Sequence, residues 1–266
     1  MSDTDKVYFE LDQVRLKHLQ SLGLKLRHFF DVGASNACWT TIMSPCFPEA
    51  TFDMFEPLAD MAPSYQQGME WHLAHHPRSR LHKVAIGEKR GRVKMHVDAN
   101  DPVNSTAVNM KTPAPKFSPR DVEMTTLDDA MRDYNLATPQ VIKVDIQGGE
   151  LKVLKGAKRL LPNVDVLLLE CWLWRGYSED TPLLLEVANW LREFDFHLWD
   201  FGDCYRSEGV LVHQDCFFLN ARCEISRLGN EPRHLATAIG TASPEPDTKT
   251  TRGWRGRIRS LVSRRN

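Results

Sequence analysis

The stretch FFDVGASNACWTT, residues 29–41, decides how the rest of the chain is interpreted. Its opening apolar run has no helical spacing and predicts a buried strand that ends at Gly33. The residues that follow predict a helix, which Ser35 or Asn36 caps through a side-chain oxygen. A strand, a glycine turn and a helix are typical of the ligand-binding start of a doubly wound α/β fold.

The turn holds a single glycine, and this restricts the class of ligand. A dinucleotide-binding loop of the form G-x-G-x-x-G would need glycine at Ser35 and Cys38 as well. Those glycines bring backbone amides onto a pyrophosphate, so their replacement disfavours a nicotinamide dinucleotide. Two interpretations stay open here: a ligand without phosphates, or a plain strand–helix turn with no ligand.

A glutamate at the end of the predicted second strand favours a ligand. The segment TFDMFEP places Glu56 where a carboxylate accepts both hydroxyls of a ribose. Pro57 keeps Glu56 out of the helical conformation and so holds it at the strand end. A nucleoside without phosphates predicts S-adenosylmethionine as the cofactor. Asp31 then either binds the methionine ammonium, directly or through water, or bonds structurally beneath the turn.

Strand and helix patterns alternate outward from this stretch, from residue 26 to about 223, which predicts a parallel sheet with helices on both faces. An N-terminal helix is expected over 8–24, and a β-hairpin or loop insertion near 91–120. We expect one domain over 1–239, followed by a flexible linker and a basic tail over 240–266.

Composition predicts a cytoplasmic protein. The chain has 266 residues, no apolar run of about 18 and no apolar signal core at its start. The six cysteines form no Cys-x-x-Cys pair and are expected to be reduced and buried. The main body is acidic, which disfavours a nucleic-acid partner. The basic tail is either a weak peripheral membrane contact or a disordered solubilising segment.

The fourth predicted core strand carries the candidate catalytic groups. In KVDIQGGE, Lys143 and Asp145 are two positions apart and therefore share a face of the strand. Asp145 is either a general base or acceptor anchor, or simply an ion-pair partner of Lys143. Glu150 opens the next helix, where it serves either catalysis or the helix dipole.

Glu170 ends the fifth predicted strand, with Trp172 and Trp174 behind it. A carboxylate with aromatic rings suits a sugar or polyol acceptor, and core tryptophans under a loop are the alternative. No metal site is predicted, because Asp145 and Glu170 are the only well-placed carboxylates and Gln147 removes a third; Mg²⁺ held by these two through their oxygens is the alternative. The sequence HLAHH, residues 72–76, is expected at the surface of a polar helix.

Six motifs in order resemble the FkbM-type methyltransferases: FFDVGASNACWTT, FDMFEP, KVAIGEKRGRVKMHV, TTLDDAM, VIKVDIQGGELKVLKGA and VDVLLLECW. The resemblance covers about residues 28 to 220. It implies an α/β class I methyltransferase fold, Rossmann-like, with a mostly parallel seven-stranded sheet whose last strand is antiparallel. It also implies methyl transfer from S-adenosylmethionine to a hydroxyl of a sugar, a glycan or glycolipid, or a secondary metabolite.

Three positions depart from the family pattern: Ser35 replaces asparagine, Ala37 replaces glycine and Gln147 replaces glutamate. Ala37 is tolerable there if its conformation is helical. Because of these departures, the alternative that this chain is a non-catalytic relative that binds the cofactor or a glycan stays open. The sequence lacks an N/D-P-P-aromatic motif after the fourth strand, which disfavours nucleobase methylation. The predicted catalytic residues are Asp145, Lys143 and Glu170. The predicted cofactor-binding residues are Asp31, Gly33, Ala34, Ser35, Asn36, Glu56, Pro57, Ala85 and Asp145.

Overall fold

The computed structural model describes residues 9–61, 63–98, 105–107, 117–176 and 178–223. The linker and basic tail predicted over 240–266, and the boundary placed before them, lie outside these ranges.

The described residues contain ten strands. They are β1 (His28–Val32), β2 (Thr51–Phe55), β3 (Ser79–His82), β4 (Ala85–Ile86), β5 (Gly91–Asp98), β6 (Phe117–Thr125), β7 (Val141–Val144), β8 (Val166–Trp172), β9 (Phe196–Ser207) and β10 (Val210–Asn220). Seven of them form the main sheet in the order β3-β2-β1-β7-β8-β10-β9. Strands β4, β6 and β5 form a second, smaller sheet.

The main sheet confirms the predicted fold class. Strands β1, β2, β3, β7 and β8 run parallel, so Phe30 lies beside both Asp53 of β2 and Ile142 of β7. Strand β10 runs antiparallel to β8 and to β9. The strand order reverses direction between β1 and β7, and in such sheets ligands bind beyond the carboxyl ends of the strands at this point.

Helices cover the sheet. They are α1 (Glu10–Ser21), α2 (Cys38–Met43), α3 (Pro63–His75), α4 (Leu127–Asp133), α5 (Glu150–Lys155) and α6 (Leu184–Leu191). Helix α1 lies within the helix predicted over 8–24. Helix α2 gives way to a 3₁₀ turn that contains Pro45, since proline cannot supply the next helical N–H. None of the described helices is long and apolar enough to cross a membrane.

Apolar side chains alternate between the two faces of the sheet and build two cores. Phe29 of β1 packs with Leu16 and Trp39 on the face covered by α1 and α2. Phe30, the next residue, packs with Ile142 and other residues on the opposite face. Strands buried on both faces explain why these segments are almost continuously apolar.

The region around the insertion differs from the sequence prediction. The segment RLHKVAIG has the sequence pattern of one strand, but it forms β3 in the main sheet and β4 in the small sheet. Strand β6 begins at Phe117, within the β-hairpin or loop insertion predicted near 91–120, and pairs antiparallel with β5. The alternation of apolar and polar residues in β5 predicts a strand. Pro119 in β6 favours a loop locally, so the sequence does not indicate that β6 is the partner of β5.

The histidine segment 72–76 was predicted at the surface, and this is wrong for His72. The His72 side chain is fully buried, with Nδ1 2.8 Å from Thr41 Oγ1 and Nε2 2.8 Å from Ser79 Oγ. Burial lowers the pKa of His72 to about 4. The cysteines are free, but burial holds for only part of the set: Cys171, Cys216 and Cys223 are buried, Cys38 and Cys46 half-buried, and Cys204 exposed.

Candidate active site

A cavity of about 640 Å³ lies at the carboxyl ends of β1, β2 and β7, with the small sheet on its other side. Five predicted cofactor-binding residues line it: Gly33, Glu56, Pro57, Ala85 and Asp145. These residues come from four separate segments of the chain. The fold therefore brings them together at the place where the strand order reverses.

Gly33 lies where the turn after β1 meets the end of β7. Its φ is +84°, and a Cβ built there would lie 2.0 Å from the carbonyl oxygen of Asp145. Its N–H donates to Phe55 O at 3.0 Å, which joins the turn to β2 as well. Sequence reasoning attributed this glycine to the approach of a ligand. The structure shows that backbone contact with β7 already requires it.

Glu56 lies at the end of β2, buried and facing the cavity. Its Oε2 accepts a hydrogen bond from the Ser35 amide at 2.9 Å, and its Oε1 accepts from the Leu58 amide at 2.8 Å. Burial raises the pKa of Glu56 to about 7, although the two amide bonds oppose the shift. The carboxylate is therefore fixed in position, and each oxygen keeps acceptor capacity toward the cavity.

The remaining residues of the turn support it from behind the cavity. Ser35 and Ala37 both have left-handed backbones, with φ of 53° and 62°. Ala37 is thus not helical. Alanine is tolerable in place of the family's glycine only if this residue is helical, and that condition is not met. Asn36 accepts from the Cys38 amide at 3.1 Å through Oδ1, and Ala34 is buried in a small apolar cluster.

Asp31 lies beneath the turn and is fully buried. It accepts a hydrogen bond from Thr40 Oγ1 at 2.6 Å, and Lys143 Nζ lies 3.6 Å from its other oxygen. Burial raises the pKa of Asp31, and Lys143 opposes the shift. These contacts match the structural role considered for Asp31; contact with the cofactor stays a prediction.

Lys143 and Asp145 face the same side of the β7 end, as their spacing predicts. Lys143 Nζ lies 3.2 Å from Asp145 Oδ2. Burial disfavours the Lys143 ammonium, but the carboxylates of Asp145 and Asp31 outweigh burial and raise its pKa. The Lys143 side chain is 7% exposed and that of Asp145 is 32% exposed. The buried ammonium of Lys143 stays charged and therefore holds the Asp145 carboxylate, which reaches the cavity.

Gln147 joins two predicted catalytic residues. Its Nε2 donates to Asp145 Oδ1 at 3.2 Å and to Glu170 Oε1 at 3.3 Å. Its backbone is left-handed, with φ of 62°, and its carbonyl accepts from Thr106 Oγ1 at 2.7 Å. A glutamate here would place a third carboxylate between the other two. The amide instead provides the donor that both carboxylates need.

Glu170 is buried at the end of β8. Trp172 Nε1 donates to its Oε2 at 3.1 Å, and His213 Nδ1 lies 3.3 Å from its Oε1. Burial, followed by repulsion from Asp145, raises the pKa of Glu170 well above its ordinary value. Glu170 is therefore held in place by Trp172 and His213, in surroundings that disfavour its ionised form.

Glu150 has a local role. Its Oε1 accepts from the amides of Gly148 and Ile146, at 3.0 and 3.2 Å, and it is buried. Burial raises its pKa to about 7. These bonds close the loop between β7 and α5, as the helix-terminus interpretation expects.

The small sheet supplies cavity residues that sequence reasoning missed. Val93 and Met95 of β5 and Met124 of β6 line the cavity, together with Tyr65 of α3. The alternation in β5 predicted its two faces, but no signal indicated which face a ligand meets. Among the described residues, no group of three or more His, Cys, Asp or Glu is arranged to hold a metal ion.

The strand order, the glycine turn and the acid that ends β2 define a Rossmann-like domain with a nucleoside-type site, as in class I methyltransferases. Residues 31–198 match the model of the methyltransferase FkbM domain, and the chain belongs to that family. No curated protein matches the chain significantly.

Two solved structures illustrate the similarity of fold. Methyltransferase FkbM from Methylobacillus flagellatus KT is 19% identical, with a TM-score of 0.49, and the match covers 76% of this chain and 46% of that one. This chain thus spans about half the length of that relative. Magnesium protoporphyrin IX methyltransferase (ChlM) from Synechocystis PCC 6803, solved with bound SAM, is 10% identical with a TM-score of 0.45, and the match covers 81% and 80% of the two chains.

Proposed function

We propose that this protein transfers a methyl group from S-adenosylmethionine to a hydroxyl oxygen of a sugar, glycan, glycolipid or secondary metabolite. One observation carries the proposal. In a chain of a methyltransferase family, the glycine turn, the acid ending β2 and the Lys143–Asp145 pair converge on one cavity. A cavity of about 640 Å³ is within the range of cofactor sites.

The residues around the cavity fit this cofactor. Glu56 offers two fixed carboxylate oxygens for the ribose hydroxyls, and Gly33 keeps the turn free of a side chain. The apolar wall of Val93, Met95 and Met124 suits the adenine ring. Bound S-adenosylmethionine supplies an electrophilic methyl group, and the protein's part is to align the acceptor and receive a proton.

Asp145 is the group that receives this proton. Transfer forms the bond between the acceptor oxygen and the methyl carbon and breaks the bond from that carbon to sulfur, leaving S-adenosylhomocysteine. The hydroxyl proton passes to the Asp145 carboxylate, which Lys143 orients at 3.2 Å. Gln147 donates to the other oxygen of Asp145 and is itself held by its hydrogen bond to Glu170, so the orientation of the base is fixed.

A non-catalytic cofactor- or glycan-binding module is the alternative, and Gln147 is the feature that favours it. The family pattern has an acid at this position. If that acid were the base in active members, this chain would bind the same ligands without transferring the methyl group.

Binding of two cofactor analogues tests the position of Asp145 without knowledge of the acceptor. Sinefungin carries a cationic amine where S-adenosylmethionine carries its methyl-sulfonium, and S-adenosylhomocysteine carries no charge there. A carboxylate at the methyl position should favour sinefungin in calorimetry. In Asp145→Asn this preference should fall about tenfold, corresponding to about 1.4 kcal/mol, while affinity for S-adenosylhomocysteine stays constant. Asp121→Asn, which changes an exposed aspartate, is the matched control.

Methyl transfer itself is measured with isotope-labelled S-adenosylmethionine and cell-extract fractions of glycans, lipids and metabolites. The proposal expects label in an alkali-stable ether. Binding of both analogues with no transfer to any fraction would favour the non-catalytic module. Failure of wild-type protein to bind either analogue would contradict the methyltransferase and a cofactor-binding module alike, and would leave only a glycan-binding module.

A further inference from the structure

A row of aromatic rings continues from Glu170 along the last three strands of the main sheet. The Trp172 and His213 ring centroids lie 5.0 Å apart, and His213 and Tyr205 are stacked with centroids 5.1 Å apart and planes 18° apart. Trp174 follows on β8's outward extension, and its Nε1 donates to Leu211 O at 3.0 Å. We call Trp172, His213, Tyr205 and Trp174 the aromatic row.

Strand register places Trp172, His213 and Tyr205 of the row on the same face as Glu170. Trp172 pairs with His213 across β8 and β10, and Glu170 pairs with Asp215. His213 also pairs with Tyr205 across β10 and β9. Directly paired residues share a face of the sheet, so the row begins beside Glu170 and leads away from the cavity.

The outer part of the row is accessible. Trp174 is 60% exposed and Tyr205 is 48% exposed, whereas Trp172 is buried. Single exposed rings are normal on a protein surface, but contiguous ones mark interaction sites, and Tyr205 is joined through His213 to the buried Trp172. The position next to Glu170 indicates which molecule covers them: the acceptor, whose hydroxyl must reach Asp145.

The charges near the row select against an anionic acceptor. Asp145, Glu170 and Asp215 lie along the inner end, and the nearby ammonium of Lys143 is already bound to Asp145 and Asp31. Arg175 near the outer end donates to Thr181 O and Glu186. Arg206 of β9 donates to Gly209 O. A phosphate or carboxylate would therefore meet hydrogen-bond acceptors, and the cations near it already bond to other groups.

We propose that the aromatic row is the acceptor subsite and binds the ring of an uncharged sugar, with Tyr205 and Trp174 as the stacking residues. The inference rests on the proposed function and adds the residues that select its acceptor. Apolar ring faces of a pyranose stack on aromatic side chains, and its hydroxyls bond to Glu170 and His213. Each ring supplies a large contact area at small conformational cost.

Glycan binding tests the subsite separately from the cofactor site. Protein saturated with S-adenosylhomocysteine is applied to an array of neutral oligosaccharides with sulfated, phosphorylated and sialylated counterparts. We expect binding to a subset of neutral glycans. Tyr205→Ala and Trp174→Ala should each weaken this binding at least tenfold, while Tyr205→Phe, which keeps the ring, changes it less than twofold.

Trp71→Ala is the matched control, because Trp71 is also an exposed tryptophan, at 51%, but lies on α3. It should leave glycan binding unchanged, and all four variants should bind S-adenosylhomocysteine like the wild type. Preference for acidic glycans, binding that survives both alanine variants, or no neutral glycan bound would each overturn the subsite. Intact S-adenosylhomocysteine binding in those cases leaves the methyltransferase proposal standing.

Discussion

At the scale of single residues, Gly33 couples two strand ends. Its backbone contacts both Phe55 of β2 and the carbonyl of Asp145, which follows β7, so one residue sets the spacing between Glu56, the proposed ribose-binding acid, and the proposed base. Any side chain there would separate the two. The spacing of the two strand ends therefore depends on the absence of a Cβ at Gly33 more than on any one hydrogen bond.

Gly33→Ala should impair stability and cofactor binding together. A left-handed alanine costs about 1–2 kcal/mol, and overpacking adds about 1–3 kcal/mol. Gly209→Ala is the control, since Gly209 has a φ of 83° but no atom within 4 Å of its Cβ position. Urea denaturation should show a loss of about 3 kcal/mol for Gly33→Ala and about 1 kcal/mol for Gly209→Ala. Equal losses would mean that the close contact with Asp145 costs nothing.

Residue identities alone did not predict which groups are charged. The spacing of Lys143 and Asp145 was sufficient to place them together, because strand alternation is a local rule. The raised pKa of Glu170 follows from burial and from the nearby Asp145 carboxylate, which follows another strand, β7. The left-handed conformation of Ala37 is likewise set by packing of the whole turn, which local propensity does not encode.

At the scale of elements, the main sheet was predictable and the small sheet was not. Each strand of the main sheet has its own apolar run and turn, so its sequence suffices. Strand β4 has two residues, and β6 contains Pro119, so both depend on pairing with distant partners. The apolar wall of the candidate site is therefore the part that sequence reasoning did not find.

The wall of β5 gives a prediction at this scale. Met95 lines the cavity, whereas its neighbour Lys94 is exposed, since adjacent residues of a strand face opposite sides. Met95→Gln should weaken S-adenosylhomocysteine binding about tenfold in calorimetry, because loss of one apolar contact of about 1.5 kcal/mol has that effect. Lys94→Gln should leave the affinity unchanged. Similar affinities for the two variants would place the adenine elsewhere.

At the scale of the whole molecule, buried acids outnumber buried bases. Asp12 is buried at the sheet face, accepts from Trp39 Nε1 at 2.9 Å, and has its pKa raised to about 7 by burial. Burial also raises the pKa values of Glu56 and Glu150 to about 7. His72, with its pKa lowered to about 4, acts in the opposite sense, as do His76 and His213, whose pKa values burial also lowers. The fold therefore holds protons near neutral pH that an unfolded chain would release.

This imbalance predicts that stability falls as pH rises from 5 to 7.5. Carboxyls with raised pKa values favour the folded state below their unfolded pKa, near 4, and lose that contribution as pH rises through 7. The lowered pKa of His72 makes the folded state more stable as pH rises from 4 to 6.5. This offsets the contribution of one of the three carboxyls. Each retained proton is worth about 1.4 kcal/mol per pH unit, so two net protons over about 2 pH units should lower the free energy of unfolding by about 5 kcal/mol.

Urea denaturation at constant ionic strength measures this drop, and two variants assign it. Asp12→Asn keeps an acceptor for Trp39 but removes one retained proton, so the drop should shrink by about 2.5 kcal/mol. His72→Gln removes the opposing group and should enlarge the drop. A free energy of unfolding that rises with pH across this range, or one whose slope Asp12→Asn leaves unaltered, would show that these buried carboxyls are ionised in the folded protein.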